Sequence, residues 1–173
     1  SVDDVGRSET FQIGDNHWEQ VFGLSFSGYY HQRSGQELTE EFTDFVRPRG
    51  MHPDDGITVH QTTVKITETS EAWDGSLAKP FEFWEGNLTG ETLEDAWGGW
   101  HDAGDTDRRT QHMETSRKLV ELHELHTDWS EDFDGNIPEN DDGIPDILNE
   151  AIWGTEVFKR LQHDDGGVPG GIE

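Results

Sequence analysis

Apolar residues gather in three helical stripes set apart by long polar stretches. In the first stripe Trp18, Val21, Phe22, Phe26, Tyr29 and Tyr30 share one side of a helix that begins near residue 16. Its expected stop is Ser34-Gly35, where glycine accepts a left-handed cap. The second helix is expected from about Thr110 to His126, with Met113, Leu119, Val120, Leu122 and Leu125 on its apolar side. The third starts at Pro145, a residue that suits the first helical position. Ile144, Ile147, Leu148, Ala151, Ile152, Phe158 and Leu161 form its stripe, and Asp146 and Glu150 suit the positive N-terminal end. It ends before Asp164-Asp165-Gly166-Gly167.

The stretches between are of a different kind. Residues 1 to about 16 read as a short strand or linker, with Phe11 and Ile13 alternating against polar neighbours. Residues 36 to about 96 hold Pro48, Pro53, Pro80 and scattered glycines, and only Thr58 to Thr67 alternates like a strand, through Val59, Val64 and Ile66. The rest is expected as a long irregular loop, a class of segment that is usually functional. An acidic loop spans Asp128 to Gly143. No internal repeat is present, and three helices on long loops predict part of an all-helical array rather than a closed small bundle.

Composition changes the picture in one respect. The 173 residues suit one domain, and although only 30% are hydrophobic, seven Trp and nine Phe supply a folded core. The formal charge is −26, from 38 acidic residues against 12 basic ones. Such self-repulsion opposes compactness in dilute salt and is tolerated where salt screens it, so the chain is expected to be adapted to high salinity. With no basic patch to meet phosphates, nucleic acid is not an expected partner. There is no Cys, so neither a disulfide nor a thiolate metal site can form. No run of 18 apolar residues suggests a membrane-spanning helix. No signal-peptide pattern is read in these residues, the first residue is Ser1, and the two ends lead to the expectation of a piece of a longer protein.

The candidate chemistry sits in Gly98-Gly99-Trp100-His101-Asp102-Ala103-Gly104-Asp105. Two carboxylates three residues apart, between glycines that permit tight turns, can hold one water together. Cleaving a glycosidic bond with inversion needs a carboxylate base for that water and a carboxylic acid on the opposite face, roughly 6.5–9.5 Å away. Asp102 and Asp105 are too close in sequence to be that opposed pair; they fit as two halves of the water-holding side. The competing use is an Asp-Gly turn capping the helix that follows.

The motif resembles the signature of glycoside hydrolase family 9, the cellulase family, and other blocks follow in the family's order. Phe26 to Gly35 resembles its first helix with the Gln32-Arg33-Ser34-Gly35 ending. Arg47-Pro48-Arg49-Gly50-Met51-His52 resembles the next segment, Gly143 to Ala151 a helix start, and Gln162 through Gly167 that helix's exit. The resemblance implies an all-α fold, the first portion of an (α/α)6 barrel of the six-hairpin type. Residues 16–173 would be the N-terminal part of the catalytic domain, and residues 1–15 a linker or the end of a preceding immunoglobulin-like domain. It implies inverting hydrolysis of β-1,4-linked glucans such as cellulose, with Asp105 as general base and Asp102 holding the attacking water. The proton donor is a Glu near the family's C-terminal end; no residue of this chain matches it, and this chain alone is expected to be inactive. A polysaccharide or oligosaccharide substrate and a secreted, extracellular protein are the corresponding expectations, with no required cofactor.

Two departures from the family stand out. Its structural zinc is held in many members by Cys at the positions of Ser34 and Met51 and by His at those of His52 and His60. Zinc needs about four N or S ligands, and with both thiolates replaced the site is expected to be lost. After the motif many members continue Tyr-Gly-Lys-Tyr, whereas this chain has Thr106-Asp107-Arg108-Arg109-Thr110-Gln111-His112, the mark of a divergent branch. Arg108, Arg109 and His112 either face a sugar or pair with local acids. Trp97 and Trp100, with His101 beside them, either contact the substrate or pack the core. The acids of the 128–143 loop invite calcium, but no EF-hand register fits: from Asp132, the turn position falls on Ile137 and the twelfth on Gly143. Solvated charge is the competing use. Asn87-Leu88-Thr89 matches the N-glycosylation acceptor pattern. Two other functions stay in view: a non-catalytic carbohydrate- or calcium-binding module, and an exo-acting glucosidase or glucosaminidase on the same barrel.

Overall fold

The computed structural model describes residues 10, 14, 17–64, 85–101 and 113–168. Apart from residues 10 and 14, the expected N-terminal strand or linker, with Phe11 and Ile13, lies outside them.

Helix α1 spans His17–Gln32. It stops where Gly35 takes a left-handed φ of 76° with Trp97 packed against it; a Cβ there would lie 2.9 Å from that ring. Phe26 and Tyr30 are fully covered, and Phe22 and Tyr29 partly so. The start of the stripe departs from expectation, since Trp18 is 82% and Val21 52% exposed. Periodicity marks a face, but only the part of that face met by other segments is buried. Here the contact falls on the C-terminal half of α1.

Helix α2 spans Met113–Leu125 and packs along α4, which spans Asp146–Arg160. Of the expected apolar side of α2, Leu119 is buried and Leu122 packs against the core, while Met113, Val120 and Leu125 face outward. A short helix α3, Thr127–Glu131, lies within the stretch expected as an acidic loop. It begins directly after α2, and His123 and Ser130 join the two through a 2.7 Å hydrogen bond. Helix α4 begins one residue later than expected. Pro145 stands in the cap position with an extended ψ of 135°, and Ile144 and Ile152 face outward.

The main core joins Phe26, Tyr30, Leu38, Leu119, Ile137, Ile147 and Ala151. An aromatic cluster closes one side, with Phe22 edge-on to both Trp129 and Phe133 at 5.1 Å. A second core of Val59, Ala96, Val157, Phe158 and Leu161 fixes the middle of the chain to the C-terminal half of α4. In that middle segment β1, His60–Thr62, pairs antiparallel with β2, Leu88–Thr92. The first falls inside the expected strand. The second corrects the irregular-loop expectation for its stretch: it is wholly exposed and broken by Gly90, so no alternation betrays it.

Candidate functional site

The segment Trp97–His101 leads into the carboxylate motif, and it is held from three sides. Gly98 and Gly99 both have left-handed φ, 108° and 65°, which let the chain turn between α4 and the end of α1. The Ser34 N–H donates to the Gly99 carbonyl at 2.9 Å, and the His101 N–H to the Gln32 carbonyl at 2.7 Å. Trp100 thereby forms an isolated antiparallel bridge with Arg33. From α4, the indole N–H of Trp153 donates to the Gly99 carbonyl at 2.7 Å, and Arg160 to the Trp97 carbonyl at 2.7 Å. From the loop after α1, Arg47 donates to the carbonyls of Arg33 and His31 and lies 3.5 Å from the His101 ring. Burial pulls the Arg47 guanidinium below its ordinary value, with Tyr30 opposing.

Beneath the segment, Arg33 and Glu150 form a fully buried ion pair at 2.9 Å. The indole N–H of Trp100 donates to the other Glu150 oxygen at 2.8 Å. Glu150 therefore pairs with Arg33 rather than serving the helix terminus as expected. Asp146, one turn earlier, accepts the Gly135 N–H at 2.6 Å. Burial raises its carboxyl above the usual range; that hydrogen bond opposes the rise, and Asp134 and Asp142 add to it.

Two adjoining clefts open beside the segment. One, of about 290 Å³, is lined by Ser25, Gly28, Tyr29, Gln32, Trp100, His101 and Thr115. The other, of about 750 Å³, shares Gly28, Gln32 and His101 and adds His31, Phe45, Arg47, Gly50 and Met51. His101 borders both, and Phe45 is 56% exposed at the second, next to Arg47. An open groove with an accessible aromatic ring and several hydrogen-bonding groups has the chemistry to take a polyhydroxylated ligand.

Of the candidate site residues, Trp97, Trp100 and His101 are described; Asp102, Asp105, Arg108 and Arg109, with His112, lie outside the described residues. Trp97 is engaged in packing: the Arg160 guanidinium lies 3.9 Å from its ring centroid and the His52 ring 4.7 Å. Trp100 is nearly covered yet forms part of the first cleft's lining. The sequence alone points to no role for Arg33, Arg47, Trp153 or Arg160. Their partners are distant along the chain, and no local spacing signals them.

The family's zinc does not fit the donors present. Ser34 offers a fully buried hydroxyl that finds no hydrogen-bond partner among the described residues. Met51 offers a thioether, and Nδ1 of His52 already accepts the Asp54 N–H at 3.2 Å. Two carboxylates of the acidic loop serve as turn acceptors: Asp134 takes the Asn136 N–H and Asp142 the Ile144 N–H. Among the described residues no group of three or more His, Asp or Glu is placed to hold a metal ion.

No family model matches the chain. It is 25% identical over 165 residues to the xyloglucan-specific endo-beta-1,4-glucanase BoGH9A of Bacteroides ovatus, covering 94% of this chain and 25% of that protein. To the cellulose 1,4-beta-cellobiosidase of Acetivibrio thermocellus it is 26% identical over 173 residues, covering 92% and 18%. The chain thus spans a quarter or less of the length of these curated relatives. Among solved structures, a metagenome-derived glycoside hydrolase family 9 endoglucanase superposes with a TM-score of 0.60 at 28% identity, over 87% of this chain and 23% of that one. A Bacteroides ovatus family 9 structure gives 0.66 at 24% identity, over 92% and 26%. In sequence and in fold this chain is a distant relative of the family 9 glycoside hydrolases, and its helices form part of an (α/α)6 barrel.

Proposed function

We propose that the full-length protein hydrolyses β-1,4-glucosidic bonds in cellulose or a related β-glucan with inversion, and that this chain supplies the water-activating half of the machinery. Asp105 removes the proton from the attacking water, and Asp102 holds that water. The acid that protonates the leaving oxygen stands on the opposite face and comes from another part of the full-length protein. The observation that carries this reading is the Gly98–Asp105 motif, whose leading residues border a groove able to take a sugar chain. Trp100 and His101 contact the substrate from the groove's wall, and Arg108 and Arg109 bind it as well. Trp97 serves by supporting Trp100's neighbours.

No metal is required on this reading, neither calcium nor zinc, and the protein works outside the cell in a saline medium. Replacing Asp105 with Ala in the full-length protein is expected to abolish turnover on a β-1,4-glucan while leaving binding of cello-oligosaccharides measurable by calorimetry. Wild-type turnover in that variant would sink the assignment. Binding with no hydrolysis in the unsubstituted protein would favour a carbohydrate-binding module instead.

A further inference from the structure

The charged pair under the motif has no part in the chemistry proposed above. Burying both Arg33 and Glu150 is costly, and apolar side chains of similar size often stabilise a core as well. The pair's contacts point to another purpose. Nε and Nη2 of Arg33 both donate to one Glu150 oxygen, at 3.1 and 2.9 Å. That leaves the second Glu150 oxygen to accept the Trp100 indole N–H. Nη1 of Arg33 donates to Glu139 and Gln36, which prevents the guanidinium from rotating. Its face lies 4.5 Å from the centre of the Trp153 ring, whose N–H grips the Gly99 carbonyl. Both branches thus end on adjacent residues, Gly99 and Trp100. Gly154 leaves room for the Trp100 ring, since a Cβ there would lie 2.1 Å from its Cη2.

We propose that Arg33 and Glu150 are positioning residues: by fixing Gly99 and Trp100 they set the point from which the chain enters the Asp102–Asp105 stretch. The inference rests on the family 9 reading of that stretch. A planar guanidinium and a two-oxygen carboxylate hold fixed directions that apolar packing does not supply. A base that must meet one water needs such direction, since misplacing a reacting group by about 1 Å can cost about a hundredfold in rate.

The test uses the full-length protein and cello-oligosaccharides. Asp105→Ala is measured first; if it retains turnover, the functional reading fails and this inference with it. Given an inactive Asp105→Ala, Glu150→Gln is expected to lower kcat about tenfold to a hundredfold with little change in KM, and to shift the acid limb of the pH–rate profile, which reports the base. Glu114→Gln, which breaks an exposed pair with Arg117 on α2, is expected to leave both unchanged. A Glu150→Gln protein with reduced thermal stability but wild-type kcat and pH profile, per folded molecule, would overturn the proposal by showing a merely structural pair. Should Glu150→Gln not fold, Trp100→Phe carries the test, because it keeps the ion pair and removes the indole donor together with the part of the ring that packs on Gly154. A fall in kcat supports positioning; a rise in KM alone overturns it in favour of substrate contact.

Discussion

Single residues carry this site through contacts that span the sequence. Arg33 and Glu150 lie 117 residues apart, and nothing near either one foretells the pairing. Glu150 stands five residues into α4, where a carboxylate has an ordinary helix-dipole explanation, so the sequence suggests the wrong partner for it. Gly154 is similar: a glycine inside a helix costs stability, and the Trp100 ring and the Ser116 hydroxyl lying against it explain the choice. Gly154→Ala is therefore expected to destabilise the fold by about 1–3 kcal/mol through overpacking, despite alanine's better helix propensity, as read by urea denaturation. Asp146 gives a pH prediction. Its folded-state carboxyl titrates above the ordinary value, chiefly through burial, so the protonated form is the better accommodated one. Its contribution is present in full at acid pH and is lost as pH rises through the raised value. Asp146→Asn keeps an oxygen for the Gly135 N–H, and is expected to remove that part of the pH dependence in denaturation curves measured on the acid side of neutrality.

Elements differ in how far their own residues announce them. The three long helices are legible because their apolar residues repeat at helical spacing, and Gly35 marks the end of α1 by the left-handed turn that it alone accepts without strain. Strand β2 and helix α3 are not legible. One is exposed on every residue, and the other, five residues long, turns only Trp129 and Ser130 inward, too few to make a helical period. The turn that follows Gly50 shows an element held by capping. His52 caps the Pro53–Asp55 turn through Nδ1 and packs on Trp97, while Arg49 grips Asp55 with two hydrogen bonds. On this basis His52→Ala is expected to cost about 1 kcal/mol or more, from the lost cap and the lost ring contact. Adding EDTA, zinc or calcium to the unsubstituted protein is expected to leave its melting temperature unchanged. A shift of several degrees with any of them would show a metal at work.

At the scale of the whole molecule, charge is the dominant property. With a formal charge of −26, the chain as a whole repels itself when compact. Raising salt from 0.1 M to 1 M shortens the screening length from about 10 Å to about 3 Å. The melting temperature is expected to rise over that range; a flat or falling curve would count against adaptation to salinity. Large apolar side chains also stand exposed, Trp18 and Leu24 on α1 and Leu125 at the end of α2. Relatives of this chain have three quarters or more of their length beyond the part it matches. The 173-residue chain alone is expected to show no glucan hydrolysis, and measurable product from it would contradict the division of acid and base proposed above.

The amino-acid sequence by itself determined the helical periods, the glycine-bounded carboxylate motif, the order of blocks that resembles the cellulase family, and the charge. These are local or summed properties, written in neighbouring residues or in composition. The tertiary structure alone decided which stripe residues reach the core, leaving Trp18 and Val21 outside it. It likewise turned Trp97 into a packing partner of His52 and Arg160, and made Arg33, Glu150 and Trp100 a single unit beneath the motif. Burial and ion pairing depend on which distant segments meet, and no spacing along one segment records that meeting.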